Sequence, residues 1–137
     1  MNEGTHKNNI TKTASAALPR GAFVKLTAAD AGKVEACSAT DTDALGVLLD
    51  SVEAGDNVAV ELLGVSNRTF VALADGEISA GGKVCLSANG AVKAIPAKGA
   101  SAQTVQVVGL ALGNSVGKGD LVEIVAHRCE QLTIAAQ

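Results

Sequence analysis

Aromatic side chains are almost missing from this chain: among 137 residues there are two phenylalanines, Phe23 and Phe70, and neither tryptophan nor tyrosine. Single-stranded nucleic acid is ordinarily held by stacked rings, and a duplex by a basic surface. Here acidic residues outnumber basic ones 14 to 11, with a net charge of −3. No nucleic-acid partner is expected. Long apolar runs are also missing. Nothing approaches the length of a membrane span, and the N-terminus lacks the apolar core of a secretion signal. The expectation is a protein with no membrane partner, made in the cytoplasm and not secreted.

Cysteine is sparse: Cys37, Cys85 and Cys129, far apart and without C-x-x-C spacing. An odd, scattered set does not suggest a disulfide framework or a zinc site, so buried reduced thiols are expected. The two histidines, His6 and His127, have no nucleophile or paired base near them in sequence. Asp41-Thr42-Asp43 lacks the glycine and closing glutamate of a calcium loop. The segment "GNSVGKGD" (113–120) hints at a phosphate loop, but it is one residue short and lacks the hydroxyl that meets magnesium. No catalytic residues, cofactor or metal are expected, and the chain is not read as an enzyme.

What is present is aliphatic and glycine-rich: hydrophobic residues reach 47%, and there are 15 glycines. "SVEAGDNVAV" (51–60) matches "SVGKGDLVEI" (115–124) at Ser, Val, Gly, Asp and Val. "LPRGAFVKLT" (18–27) lies opposite "ISAGGKVCLS" (78–87), and "LGVLL" (45–49) opposite "VGLAL" (108–112). Such self-similarity marks two pseudo-repeats, about 18–73 and 78–137. A turn leading into a strand explains the glycines of both copies better than a ligand loop. Thr69-Phe70 is aligned with Thr133-Ile134 at the ends of the two copies.

Within each copy the apolar residues alternate, as in Val58, Val60 and Leu62, which is strand spacing. Asn89-Gly90 is a hairpin signal because both positions tolerate positive φ. Strands are expected over about 22–27, 33–37, 44–49, 57–63, 68–73, 83–87, 91–95, 105–112, 120–126 and 131–135. The fold class expected is all-β: a compact β-barrel or β-tulip-like sandwich forming a single domain over 18–137. Residues 1–17 are polar, lie outside the repeat and are expected to form a flexible N-terminal arm. Phe23 lies on the strand face opposite Val24 and Leu26. It is either covered within the chain or offered as an apolar subunit interface.

The segments "LPRGAFVKLTAADAGKVEA", "DALGVLLDSVEAGDNVAVELLGV", "ADGEISAGGKVCLSANGAVKAI" and "VVGLALGNSVGKGDLVEIV" together resemble the small capsid decoration (cement) proteins of tailed bacteriophages. The resemblance covers residues 18–126 and implies a structural protein on the outer surface of the virion capsid. It implies the major capsid protein as partner, a homotrimer on the shell, and an N-terminal arm that orders against it. Ile10, Thr11, Lys12 and Thr13 are the candidate capsid-binding residues of that arm, placed to add a strand to a sheet edge. Two other readings stand beside this one. One is a tail- or fibre-associated virion component. The other is a carrier domain similar to lipoyl and biotinyl domains, in which Lys93 beside a turn would be the modified residue.

Overall fold

Short alternating segments separated by glycine turns leave the backbone one way to satisfy its polar groups, which is pairing between strands. A computed structural model describes residues 9–65 and 68–137 and contains ten strands. They are β1 (Asn9–Ala14), β2 (Phe23–Leu26), β3 (Lys33–Ala36), β4 (Gly46–Leu48), β5 (Asn57–Leu62), β6 (Phe70–Leu73), β7 (Lys83–Leu86), β8 (Val92–Ala94), β9 (Gln103–Ala111) and β10 (Leu121–Ile134). A single 3-10 turn, Ala88–Gly90, joins β7 to β8, with Asn89 and Gly90 at φ 58° and 79°. The all-β expectation holds.

Strands β1-β3-β2-β4-β5 close into a barrel, and β6-β10-β9-β7-β8 form a second five-stranded sheet. The edges of that sheet approach each other through a parallel bridge between Ala74 and Val92, with Asp75 N donating to Val92 O at 2.7 Å. The first unit makes the same bonds. β1 runs parallel to β3 at Ala14–Val34, and Ser15 N donates to Val34 O at 3.0 Å. Ala14 N bonds to Asp56 O as Ala74 N bonds to Asp120 O, and Leu18 pairs with Val52 as Ile78 pairs with Ser115. Gly21 N reaches Leu48 O as Gly81 N reaches Ala111 O.

The repeat is therefore real, but its frame is shifted by one strand. Each unit opens with the strand that closes its own sheet, β1 in the first and β6 in the second. Thr69-Phe70 begins the second unit, and Phe70 pairs with Ile124. Thr133 and Ile134 instead pair with Thr104 and Gln103 in a ribbon that extends β9 and β10 past the sheet. The two strands expected at 120–126 and 131–135 are one, broken in register between Ala126 and Glu130. Bulges of this kind re-aim a strand without ending it.

The cores follow the repeat. Ala14, Val24, Val34, Leu48 and Val60 fill the first barrel. Their counterparts Ala74, Val84, Val92, Ala111 and Ile124 fill the second unit. That second core also takes in Phe23, Cys37, Val47 and Leu63, which point outward from the first barrel. The two units thus share one hydrophobic interior across their seam. A small third cluster, Cys85, Val105 and Val107 with Ile95, Leu132 and Ile134, lies under the β9–β10 ribbon.

Two equivalent glycines let neighbouring strands approach closely. A Cβ on Gly46 would sit 2.1 Å from Glu61 O, and one on Gly109 would sit 2.3 Å from Val125 O. Both obstacles are backbone, so a methyl group must push strands apart. Gly46→Ala is expected to lower stability by about 3 kcal/mol, as overpacking does, read as a fall in the urea midpoint at unchanged m-value.

Candidate interaction surfaces

The structure gives the expected arm residues another role. Ile10, Thr11, Lys12 and Thr13 lie in β1, paired in register with Val60, Ala59, Val58 and Asn57 of β5. Thr13 Oγ1 donates to Asn57 Oδ1 at 2.9 Å, and Lys12 Nζ donates to Ala31 O at 2.8 Å. Ile10 packs against the barrel core, and Ala14 is buried. Over residues 9–14 the free arm is therefore corrected to a barrel strand. The reason is that β5 would otherwise present an open edge, and β1 supplies its missing partners. The strand addition expected against another protein is made within the chain. Residues 1–8 of the expected arm lie outside the described residues.

Phe23 is corrected in the same way. Its exposure is 0%, and it is buried among residues of the second unit instead of meeting another subunit. Its neighbours in register across the sheet are Val47 and then Glu61, at 1% and 2% exposure. This row is the face on which the second unit sits. Leu73 N donates to Gly21 O at 3.0 Å, and Gly90 N donates to Cys37 O at 2.8 Å, so backbone bonds stitch the seam. The buried Glu61 carboxylate is met by Arg68, Nη2 to Oε1 2.7 Å, at the mouth of a cleft of about 460 Å³ that Arg20, Leu49 and Phe70 also line.

A second polar knot holds the loop before β4. Asp41 accepts from Lys25 Nζ at 2.9 Å and from Ser38 N at 2.7 Å. Burial pushes the Asp41 carboxyl up, but these two hydrogen bonds outweigh it and hold it below the usual carboxylate range. The Asp41 hydrogen bond raises the Lys25 ammonium above its ordinary value. Asp41 is part of this loop's frame. A depressed carboxylate stabilises the fold above its unfolded value, near ~3.9. That contribution is lost as pH falls through the lowered folded value. Asp41→Asn is expected to cost about 1–2 kcal/mol at neutral pH and to remove this part of the acid decline, which urea titrations between neutral and acid pH will read.

On the outer face of the second unit Leu110, Leu112, Leu121 and Val125 are exposed, at 39%, 44%, 45% and 48% for Leu110, Leu121, Leu112 and Val125. Val125 lies directly opposite Leu110 in register, and Leu110 opposite Lys83. An apolar cluster on a sheet face is the usual mark of a contact surface. Sequence reading missed it, although the alternation in "LVEIV" (121–125) puts Leu121 and Val125 on the face away from Val122 and Ile124.

The remaining candidates are structural. Asp120 Oδ2 accepts from Val116 N and Gly117 N at 3.0 and 3.2 Å, so "SVGKGD" is a turn closed by its own aspartate. Lys93 sits mid-strand in β8, in register with Cys85 and just after the Ala88–Gly90 turn. His127 Nδ1 lies 2.7 Å from Arg128 O, within β10. Cys37, Cys85 and Cys129 are free thiols, and burial pushes Cys37 up to about 12. Among the described residues no group of three or more His, Cys, Asp or Glu is placed to hold a metal ion. Among the described residues no helix is long and apolar enough to cross a membrane.

No protein-family model matches the chain, and no curated protein matches it. Among solved structures it is similar to the head fiber gp8.5 N base of bacteriophage phi29, with a TM-score of 0.66 and 16% identity. The match covers 89% of this chain and 95% of that one. The two share a fold over nearly their whole lengths.

Proposed function

We propose that this protein is a structural component of a tailed-phage virion that binds the outer surface of the matured head and stabilises it. The observation that carries this reading is the shared fold with a phage head fiber base, covering both chains almost end to end. The glycine-and-valine segments that resemble capsid decoration proteins point the same way. A ligand that binds only the assembled shell stabilises it by mass action, and many small contacts suffice when copies are numerous. The partner is the major capsid protein, and copies cluster as a homotrimer on the shell. The surfaces available for this are sheet faces and loops, with no reaction required.

A second reading is favoured by the same shared fold, since the similar protein is the base of a head fiber. In it the domain is a base that carries a fibre. Immunogold labelling of purified virions tests the head location that both readings share. Gold over the head surface supports the proposal, whereas gold confined to the tail, or no gold on intact particles, overturns it.

A further inference from the structure

The interface between the two units is made once within the chain, and its two halves recur, uncovered, elsewhere on the molecule. On the first unit the row Phe23–Val47–Glu61 is buried by the second unit. A Cβ on Gly21 would lie 2.9 Å from Leu73 N, and the Gly90 turn packs so closely that its Cβ would lie 2.8 Å from Phe23 O. By the hydrogen-bond correspondence of the repeat, the same row on the second unit is Lys83–Leu110–Val125. That row is exposed at Leu110 and Val125, and a Cβ on Gly81, the counterpart of Gly21, would meet nothing within 4 Å. The counterpart of the Gly90 turn is Asp30–Gly32, where Lys33 N donates to Asp30 O as Ala91 N donates to Ala88 O. That turn is exposed, whereas Gly90 is buried.

We infer that the outer face of the second unit, around Lys83, Leu110 and Val125, is covered by the first unit of another copy of this chain, whose Asp30–Gly32 turn and β1 take the places that the Gly90 turn and β6 take within the chain. This deepens the clustering of copies proposed above and rests on that part of the reading, not on shell binding. The occupant follows from continuity: the twin of this face is covered within the chain by the Gly90 turn and β6, and the counterpart turn on the first unit, Asp30–Gly32, is exposed. Lys83 stands where the first unit has Phe23, and the turn brought against it carries the partner subunit's Asp30, where the internal turn has uncharged Ala88; the Lys12 ammonium is held on this turn, bonded to Ala31 O at 2.8 Å, and Lys33 follows it. Asp30 Oδ1 accepts from Gly32 N at 2.8 Å, which leaves its second oxygen for the Lys83 ammonium. The contact between copies is then apolar at Leu110 and Val125 and ionic at its edge. An ionic edge sets register and partner choice. Because the two halves are different surfaces, the contact is heterologous and joins copies head to tail, into a ring or an open chain.

The test is sedimentation velocity of the full chain over a range of concentrations, with Leu110→Glu, Lys83→Glu, Asp30→Lys and the double variant Lys83→Glu/Asp30→Lys. The wild type is expected to associate. Leu110→Glu is expected to be monomeric, each single reversal to weaken association about tenfold or more, and the double variant to recover it. Thermal melts of each variant confirm that the fold is kept, as these side chains are at the surface. A wild type that stays monomeric, single reversals that leave association unchanged, or a double variant no better than the singles would each overturn the inference. Pelleting of the same proteins with heads separates the two proposals. Self-association without pelleting leaves this interface standing and removes the shell reading. A wild type that pellets normally but never associates in solution does the reverse. Wild-type association that survives Leu110→Glu while pelleting is lost assigns the face to the shell and overturns it as well.

Discussion

A chain that begins at Asn9 is expected to fold and melt like the full-length protein, whereas one that begins at Leu18 is expected to lose the cooperative unfolding of the first barrel. Removing β1 takes away five register pairs with β5, from Asn9–Glu61 to Thr13–Asn57, and the parallel pairs with β3. It also strips Ala14 and Ile10 from the barrel core and leaves the β5 edge open to water or to another chain. The loss is of the order of a small domain's whole stability, about 5 kcal/mol or more. Circular dichroism melts and urea titrations of the two truncations will show it. A Leu18 chain with a wild-type midpoint would mean that the barrel does not need its first strand. The contrast also bears on attachment. Lost binding on removal of all seventeen residues would report an opened barrel, so only a cut before Asn9 can isolate a contact made by the preceding residues.

Phe23→Ala is the second large effect expected. The ring is fully buried in the seam, and one aromatic of only two in the chain fills space that aliphatic neighbours cannot. Truncating a buried Phe costs about 3–5 kcal/mol through lost transfer energy and a residual cavity, and for a domain of this size the melting temperature falls by roughly 10–20 °C. Phe23→Leu, which keeps most of the volume, is expected to cost much less. Differential scanning calorimetry of both variants will read this. A small shift in melting temperature accompanied by altered self-association would return Phe23 to a subunit interface.

The strands were legible wherever they line a core, because alternation shows when one face is apolar. β5 and β10 carry it plainly in Val58–Val60 and Val122–Ile124. β1 was not legible, since "NITKTA" offers one large apolar residue and contributes chiefly backbone pairs, which leave no mark on side-chain pattern. The same fact hid the frame of the repeat. β1 and β6 hold equivalent places, yet "NITKTA" and "FVAL" share almost nothing, because the bonds that fix both strands belong to the main chain. For Phe23 the alternation told which face it occupies but not what covers that face, since contact between the units is a property of tertiary packing alone. The outer face of the second unit is marked by the alternation in "LVEIV", but what covers it is again a property of tertiary packing.

The measurement that bears most directly on the proposed role is co-sedimentation with matured heads that lack this protein, using the full chain, the Asn9 chain and unexpanded shells as the control. Saturable pelleting of the folded full chain with matured heads, accompanied by a rise in the temperature at which those heads release their DNA, is the expected result. A folded chain that stays in the supernatant at every concentration would contradict it.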